Sequence, residues 1–141
     1  MRSLKVFLIL AGLLHLSFMA LELFPWSWPV IACLLTTGLP AFTDRQHDVV
    51  KAVVQNAGIY NGIVAAGLFF AAFAGRAAFG VARVLLAGVV VAGIFGALTL
   101  PPPPYGPALQ AVVGITGLLL VWKVSSGRGE DAAPAEVPSG S

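Results

Sequence analysis

A histidine and a glutamate, His15 and Glu22, stand seven residues apart in an apolar run with no other ionisable side chain between Val6 and Phe24. In a helix seven residues make nearly two turns, so the two share a face, with Met19 between them. A second apolar run opens with NAGIYNG, residues 56–62, which adds Asn56, Tyr60 and Asn61. An imidazole beside a carboxylate can transfer or orient a proton, and a phenol with two amides can hold the polar end of a small molecule. In that chemistry His15 is the proton-transfer candidate, Glu22 its orienting or acid/base partner, and Tyr60 a donor to substrate. Thr99 and Gln110 are weaker candidates, because hydroxyls and amides in apolar helices also serve as hydrogen-bonding glue between them.

No familiar catalytic signature accompanies these residues. The chain has no H-E-x-x-H, no G-x-S-x-G and no phosphate-binding glycine loop. The segment DRQHD places Asp44, His47 and Asp48 together, but it reads better as a solvated helix entrance than as a metal site, since carboxylates complement the helix dipole there. No metal site is expected, and no cofactor is indicated. The single Cys33 has no partner for a disulfide or zinc motif and reads as a small apolar residue. A formal charge of +2, scattered along the chain, leaves no basic stripe for nucleic acid.

The elements that must position these residues follow from composition. Hydrophobic residues make up 58% of the chain and charged residues 10%, which is too little polar surface to coat a water-soluble globule. A helix of about 20 apolar residues spans a bilayer. Such stretches run from about Leu4 to Phe24, Val49 to Phe73, Ala78 to Leu100 and Pro107 to Val124. The expected fold is therefore all-α, an integral membrane bundle of four transmembrane helices over residues 1–124. The lipid bilayer is its surrounding partner. Pro101–Pro104 end the third helix, and Pro107 suits the first turn of the fourth. Between the first two helices, Pro25–Phe42 holds a short apolar run bracketed by prolines and preceded by Trp26 and Trp28, the pattern of an interfacial or re-entrant segment.

With both termini on one side, that side carries Arg2, Lys5, Arg76, Arg83, Lys123 and Arg128, against Arg45 and Lys51 on the other. The positive-inside rule then places both termini in the cytoplasm, with the chain in a bacterial inner membrane. The apolar N-terminal run offers no convincing cleavage site and is expected to stay as a helix. Residues 125–141, rich in Pro, Ala, Ser and Gly, predict a disordered cytoplasmic tail.

Antiparallel neighbours would bring His15 level with Tyr60 and Asn61, and Glu22 slightly above Asn56, so the polar side chains gather in the outer half of the bilayer. Gly58 and Gly62 form one small-residue face, and Gly88, Ala92 and Gly96 another, either of which lets helices pack closely. The expected function is a polar intramembrane pocket for a small or lipid-like molecule. Two alternatives stand beside it. One is transport of a small solute or proton, which four spans without an inverted repeat would need a homo-oligomer to perform. The other is a structural or accessory membrane protein.

The stretches HLSFMALELF (15–24), NAGIYNGIVAAGL (56–68) and AGIFGALTL (92–100), followed by Gln110, resemble the bacterial membrane family known as domain of unknown function 1304. The likeness covers nearly all of residues 4–122. Its most specific parts are N-x-G-x-Y-N-G and H-x-x-x-M-x-x-E, which carry His15, Glu22, Asn56, Gly58, Tyr60, Asn61 and Gly62. The resemblance implies about four spans and no established activity. Ala57 and Phe95 depart from the family pattern, and residues 26–44 are longer and more apolar than it implies.

Overall fold

A computed structural model describes residues 1–24, 44–100 and 105–127, and among them every regular element is helical. The order is α1 (Arg2–Leu23), α2 (Asp44–Ala74), a 3₁₀ turn (Gly75–Ala78), α3 (Phe79–Thr99) and α4 (Tyr105–Ser126). The expected interfacial segment, Cys33, Pro101–Pro104 and residues 128–141 of the expected tail lie outside the described residues, whereas Ser125 and Ser126, expected in that tail, are the last residues of α4.

Two of the helices end where local chemistry stops them. At the close of α2, Gly75 turns to φ +66°, a left-handed conformation that glycine adopts without a steric penalty. α3 gives way to an extended Leu100 (φ −85°, ψ 150°), the conformation that a following proline imposes on its predecessor.

Among the described residues three stretches are long and apolar enough to cross a membrane: Arg2–Leu23, Asp48–Thr99 and Tyr105–Ser126. The middle one is 52 residues long and contains the 3₁₀ turn. It doubles back there, because a Cβ built on Gly67 would touch Leu85 Cδ1 at 2.5 Å. In a straight helix those two residues would stand about 27 Å apart.

Neighbouring helices run antiparallel. Gly12 faces Phe69, Gly62 faces Met19, and Gly58 faces Glu22 and Leu23, which sets α1 against α2. Gly93 faces Pro107 and Ala111, Gly117 faces Leu86, and Arg83 donates to Ser125 Oγ at 2.8 Å, which sets α3 against α4. Contact within these two hairpins far exceeds contact between them.

The buried seams are narrow. α1 buries Leu4, Leu8, Ala11, Gly12 and His15, and α3 buries Ala82, Leu86, Val89 and Gly93. Steps of three and four residues make these coiled-coil-like seams. The other faces are apolar too: Leu10, Val84, Val91 and Leu98 all lie exposed. A helix apolar on every side needs either a protein core or lipid around it.

An apolar core cluster joins the two hairpins. Leu4, Leu8, Leu68, Ala72, Ala82, Leu86 and Val121 cluster toward the end that holds Met1, Arg76 and Ser125. The expected stripe Gly88–Ala92–Gly96 is not the α3 seam. Gly88 and Ala92 are exposed, and only Gly96 meets α4, at Pro107. Gly93, one position round the helix from Ala92, is the close-approach residue. A Cβ there would lie 2.5 Å from Ala111 N and 2.7 Å from Pro107 O.

Candidate functional site

At the end of the bundle away from the apolar core, α1 and α2 bring three polar side chains together. His15 continues the buried stripe of α1, two turns beyond Leu8, and is 2% exposed. Asn61 of α2 lies opposite it. Gly58 and Gly62 flank Asn61 and leave room for Glu22 and Met19 of α1, so the backbones approach closely enough for the short amide to reach across.

His15 Nδ1 is 2.8 Å from Asn61 Oδ1, and Asn61 Nδ2 donates to Glu22 Oε2 at 2.7 Å. The carboxylate sets the direction of this chain. It accepts, so the amide NH₂ turns toward Glu22 and the amide oxygen toward His15. That oxygen can only accept, so His15 Nδ1 carries a hydrogen. In the neutral ring the lone pair is then on Nε2, which is buried and has no hydrogen-bond partner among the described residues. The edge of the ring meets Phe18, with centroids 6.0 Å apart and planes at 80°. Gln110 of α4 brings its Nε2 within 3.5 Å of Asn61 Oδ1, a long hydrogen bond that links the second hairpin to the centre.

The remaining sequence candidates lie elsewhere. Asn56 is exposed, and Tyr60 is 61% exposed on α2. The reason is rotational: each residue turns a helix by about 100°, so Tyr60 cannot share the face of Asn61, whereas Asn56 and Tyr60, four apart, share an outward one. Matching depth puts Tyr60 level with His15 and Asn56 near Glu22, and facing turns both side chains outward. Thr99 Oγ1 donates to Phe95 O within its own helix.

Gln55, which drew no attention in the sequence, does join α1. Its Nε2 donates to Leu23 O at 3.3 Å, at the helix end where carbonyls lack intrahelical partners. Its place one turn before Gly58, on the packed face, was the signal available in the sequence.

His15 and Glu22 are the two ligand-type side chains here, and among the described residues no group of three or more His, Cys, Asp or Glu gathers to hold a metal. What the arrangement offers is an imidazole lone pair of fixed direction, buried behind a carboxylate–amide chain. It can accept a hydrogen bond or a proton from a hydroxyl brought to it.

Comparison with known proteins gives kinship and no activity. The chain is similar to the uncharacterized protein YpaA of Lactococcus lactis subsp. lactis (strain IL1403), 32% identical over 56 residues, which is 40% of this chain and 47% of that protein. The match therefore spans about half the length of that relative. No solved structure matches. Residues 9–122, nearly the whole helical region, match the model described as Protein of unknown function (DUF1304), and the chain belongs to that family.

Proposed function

We propose that this is a four-crossing protein of the bacterial inner membrane, both termini cytoplasmic, whose His15–Asn61–Glu22 centre binds a small or lipid-like molecule through a polar group. The membrane part is supported by the apolar surface on every helix, the fold-back at Gly75 and the excess of cations at the end that holds Arg2, Arg76 and Arg83. The binding part is carried by one observation: His15 Nε2 is buried without a partner among the described residues, while Nδ1 is committed to Asn61. Leaving a buried polar atom unpaired costs about 1–3 kcal/mol, and a hydroxyl or amide of a bound molecule would offset that. The apolar core cluster packs the hairpins nearer the opposite end, and at the polar centre Gln110 reaches Asn61 from the second hairpin.

The test is mass spectrometry of molecules released from the purified protein. The wild type is expected to carry one molecule in near-stoichiometric amount. His15→Ala and Asn61→Ala should lose it while remaining helical and monodisperse, and Tyr60→Phe should keep it. An empty wild type, or equal occupancy in His15→Ala, would overturn the assignment.

A second reading rests on Asn61, which meets side chains of both α1 and α4: the centre acts as a lock between helices. In that case the alanine variants lose melting temperature, and any phenotype tracks the loss.

A further inference from the structure

At the opposite end of the bundle a groove of about 380 Å³ opens between the start of α1 and the α2–α3 turn. Its apolar part is made by Leu4, Leu8, Ala71, Ala72, Phe73 and Phe79, and Arg2 and Lys5 stand along it. Lys5 Nζ lies 4.6 Å from the centre of the Phe73 ring, a cation–π contact that holds the ammonium over the groove wall.

Arg76 is anchored beside the groove. It follows Gly75, which lines the groove, and its Nε donates to the sulfur of Met1, another lining residue, at 3.4 Å. Its NH1 nitrogen is buried and has no hydrogen-bond partner among the described residues. Methionine sulfur is a weak acceptor, so the guanidinium keeps most of its hydrogen-bonding capacity. Arg2 and Lys5 thus line an apolar groove, and Arg76 adjoins it through Met1 and Gly75, at the level where the helices begin and end.

We propose that this groove binds an anionic phospholipid, its phosphate held by Arg76, Lys5 and Arg2 and one acyl chain lying along Phe73 and Phe79. Guanidinium groups pair with phosphate oxygens bidentately, which would satisfy the buried NH1. Basic pockets between helices at headgroup level recognise anionic lipids in this way. Charge and shape together select the occupant: a free anion would leave the channel exposed to water, and a zwitterionic lipid would leave the cations less compensated. The inference uses the membrane-spanning reading above but not the polar centre, so either site can fail without the other.

The experiment compares full-length protein in mild detergent with phosphatidylglycerol, with phosphatidylcholine of the same acyl chains and with inorganic phosphate, and reads bound lipid by native mass spectrometry. The wild type should retain phosphatidylglycerol over phosphatidylcholine. Arg76→Gln should weaken phosphatidylglycerol retention about five-fold, the effect of one cation at an anionic surface, and leave phosphatidylcholine unchanged. Lys5→Gln supplies the same test should Arg76→Gln not fold. Arg83→Gln is the control, because that arginine is engaged with Ser125 on the other hairpin and should retain lipid normally. Equal retention of the two lipids by the wild type would overturn the proposal. So would an equal loss in Arg83→Gln and Arg76→Gln, or displacement of phosphatidylglycerol by millimolar phosphate.

Discussion

Asn61 hydrogen-bonds in three directions, toward His15, Glu22 and Gln110, so its removal disturbs several groups at once. Asn61→Leu is expected to destabilise the detergent-solubilised protein by about 1–2 kcal/mol, measured as a fall in melting temperature. A double-mutant cycle between His15→Ala and Asn61→Ala should give a coupling of about 0.5–2 kcal/mol, since the pair is bonded directly. Strict additivity would mean that the 2.8 Å contact contributes nothing. By contrast, Asn56→Ala and Tyr60→Phe should change stability by less than about 0.5 kcal/mol, because both side chains face outward. His15 and Glu22 were legible in the sequence as isolated ionisable groups in an apolar run. The same count brought Asn61 and Tyr60 level with His15, but which of the two meets it was not legible, because depth along a helix follows from counting residues, whereas facing depends on which neighbour packs where.

At the scale of the elements, the two hairpins differ in how they achieve close approach. In α1 and α2 the glycines of NAGIYNG face α1, as their spacing implied, and receive Met19 and Glu22. In α3 and α4 the close-approach residues are Gly93 and Gly114, whereas a Cβ at Gly88 would meet nothing within 4 Å. Small residues fill much of α3, so several small-residue stripes exist in the sequence, and only packing against α4 selects one. Gly93→Leu should therefore separate α3 from α4 and destabilise the bundle by roughly 1–3 kcal/mol or more, since the obstruction is backbone. Gly88→Leu, with nothing within 4 Å, should be tolerated. Thermal melts of the two variants side by side make the comparison. Gly75→Ala forces a Cβ into the left-handed region and should cost about 1 kcal/mol by the same assay.

For the whole molecule, the position of the turn decides the number of crossings. A fold-back at Gly75–Ala78 divides the 52-residue run into two antiparallel helices, which in the proposed four-crossing arrangement returns the chain to the side on which the run began. In a Cys33→Ser background, Ser3→Cys and Ser126→Cys should both react with a membrane-impermeant maleimide only once the inner face is opened. Asp48→Cys should react in intact cells. Opposite accessibility at the two terminal positions would mean an odd number of crossings. The same division separates two environments: an apolar, cation-rimmed end closed by all four helices, and a polar end held by Asn61 and Gln110.

Composition and apolar run length were enough to determine the class: helices that cannot be coated by the polar residues available, broken where prolines break them. These properties are local, since each stretch carries its own hydrophobicity and its own stop signals. Tertiary packing alone decided which polar residues meet. A step of one residue rotates a side chain by about 100°, so Asn61 reaches His15 and Glu22 while its neighbour Tyr60 faces out. Because every face of these helices is apolar, no amphipathic stripe marks the inner one. The glycine contacts and the Asn61 bonds that set the helix rotations exist only once the helices are side by side.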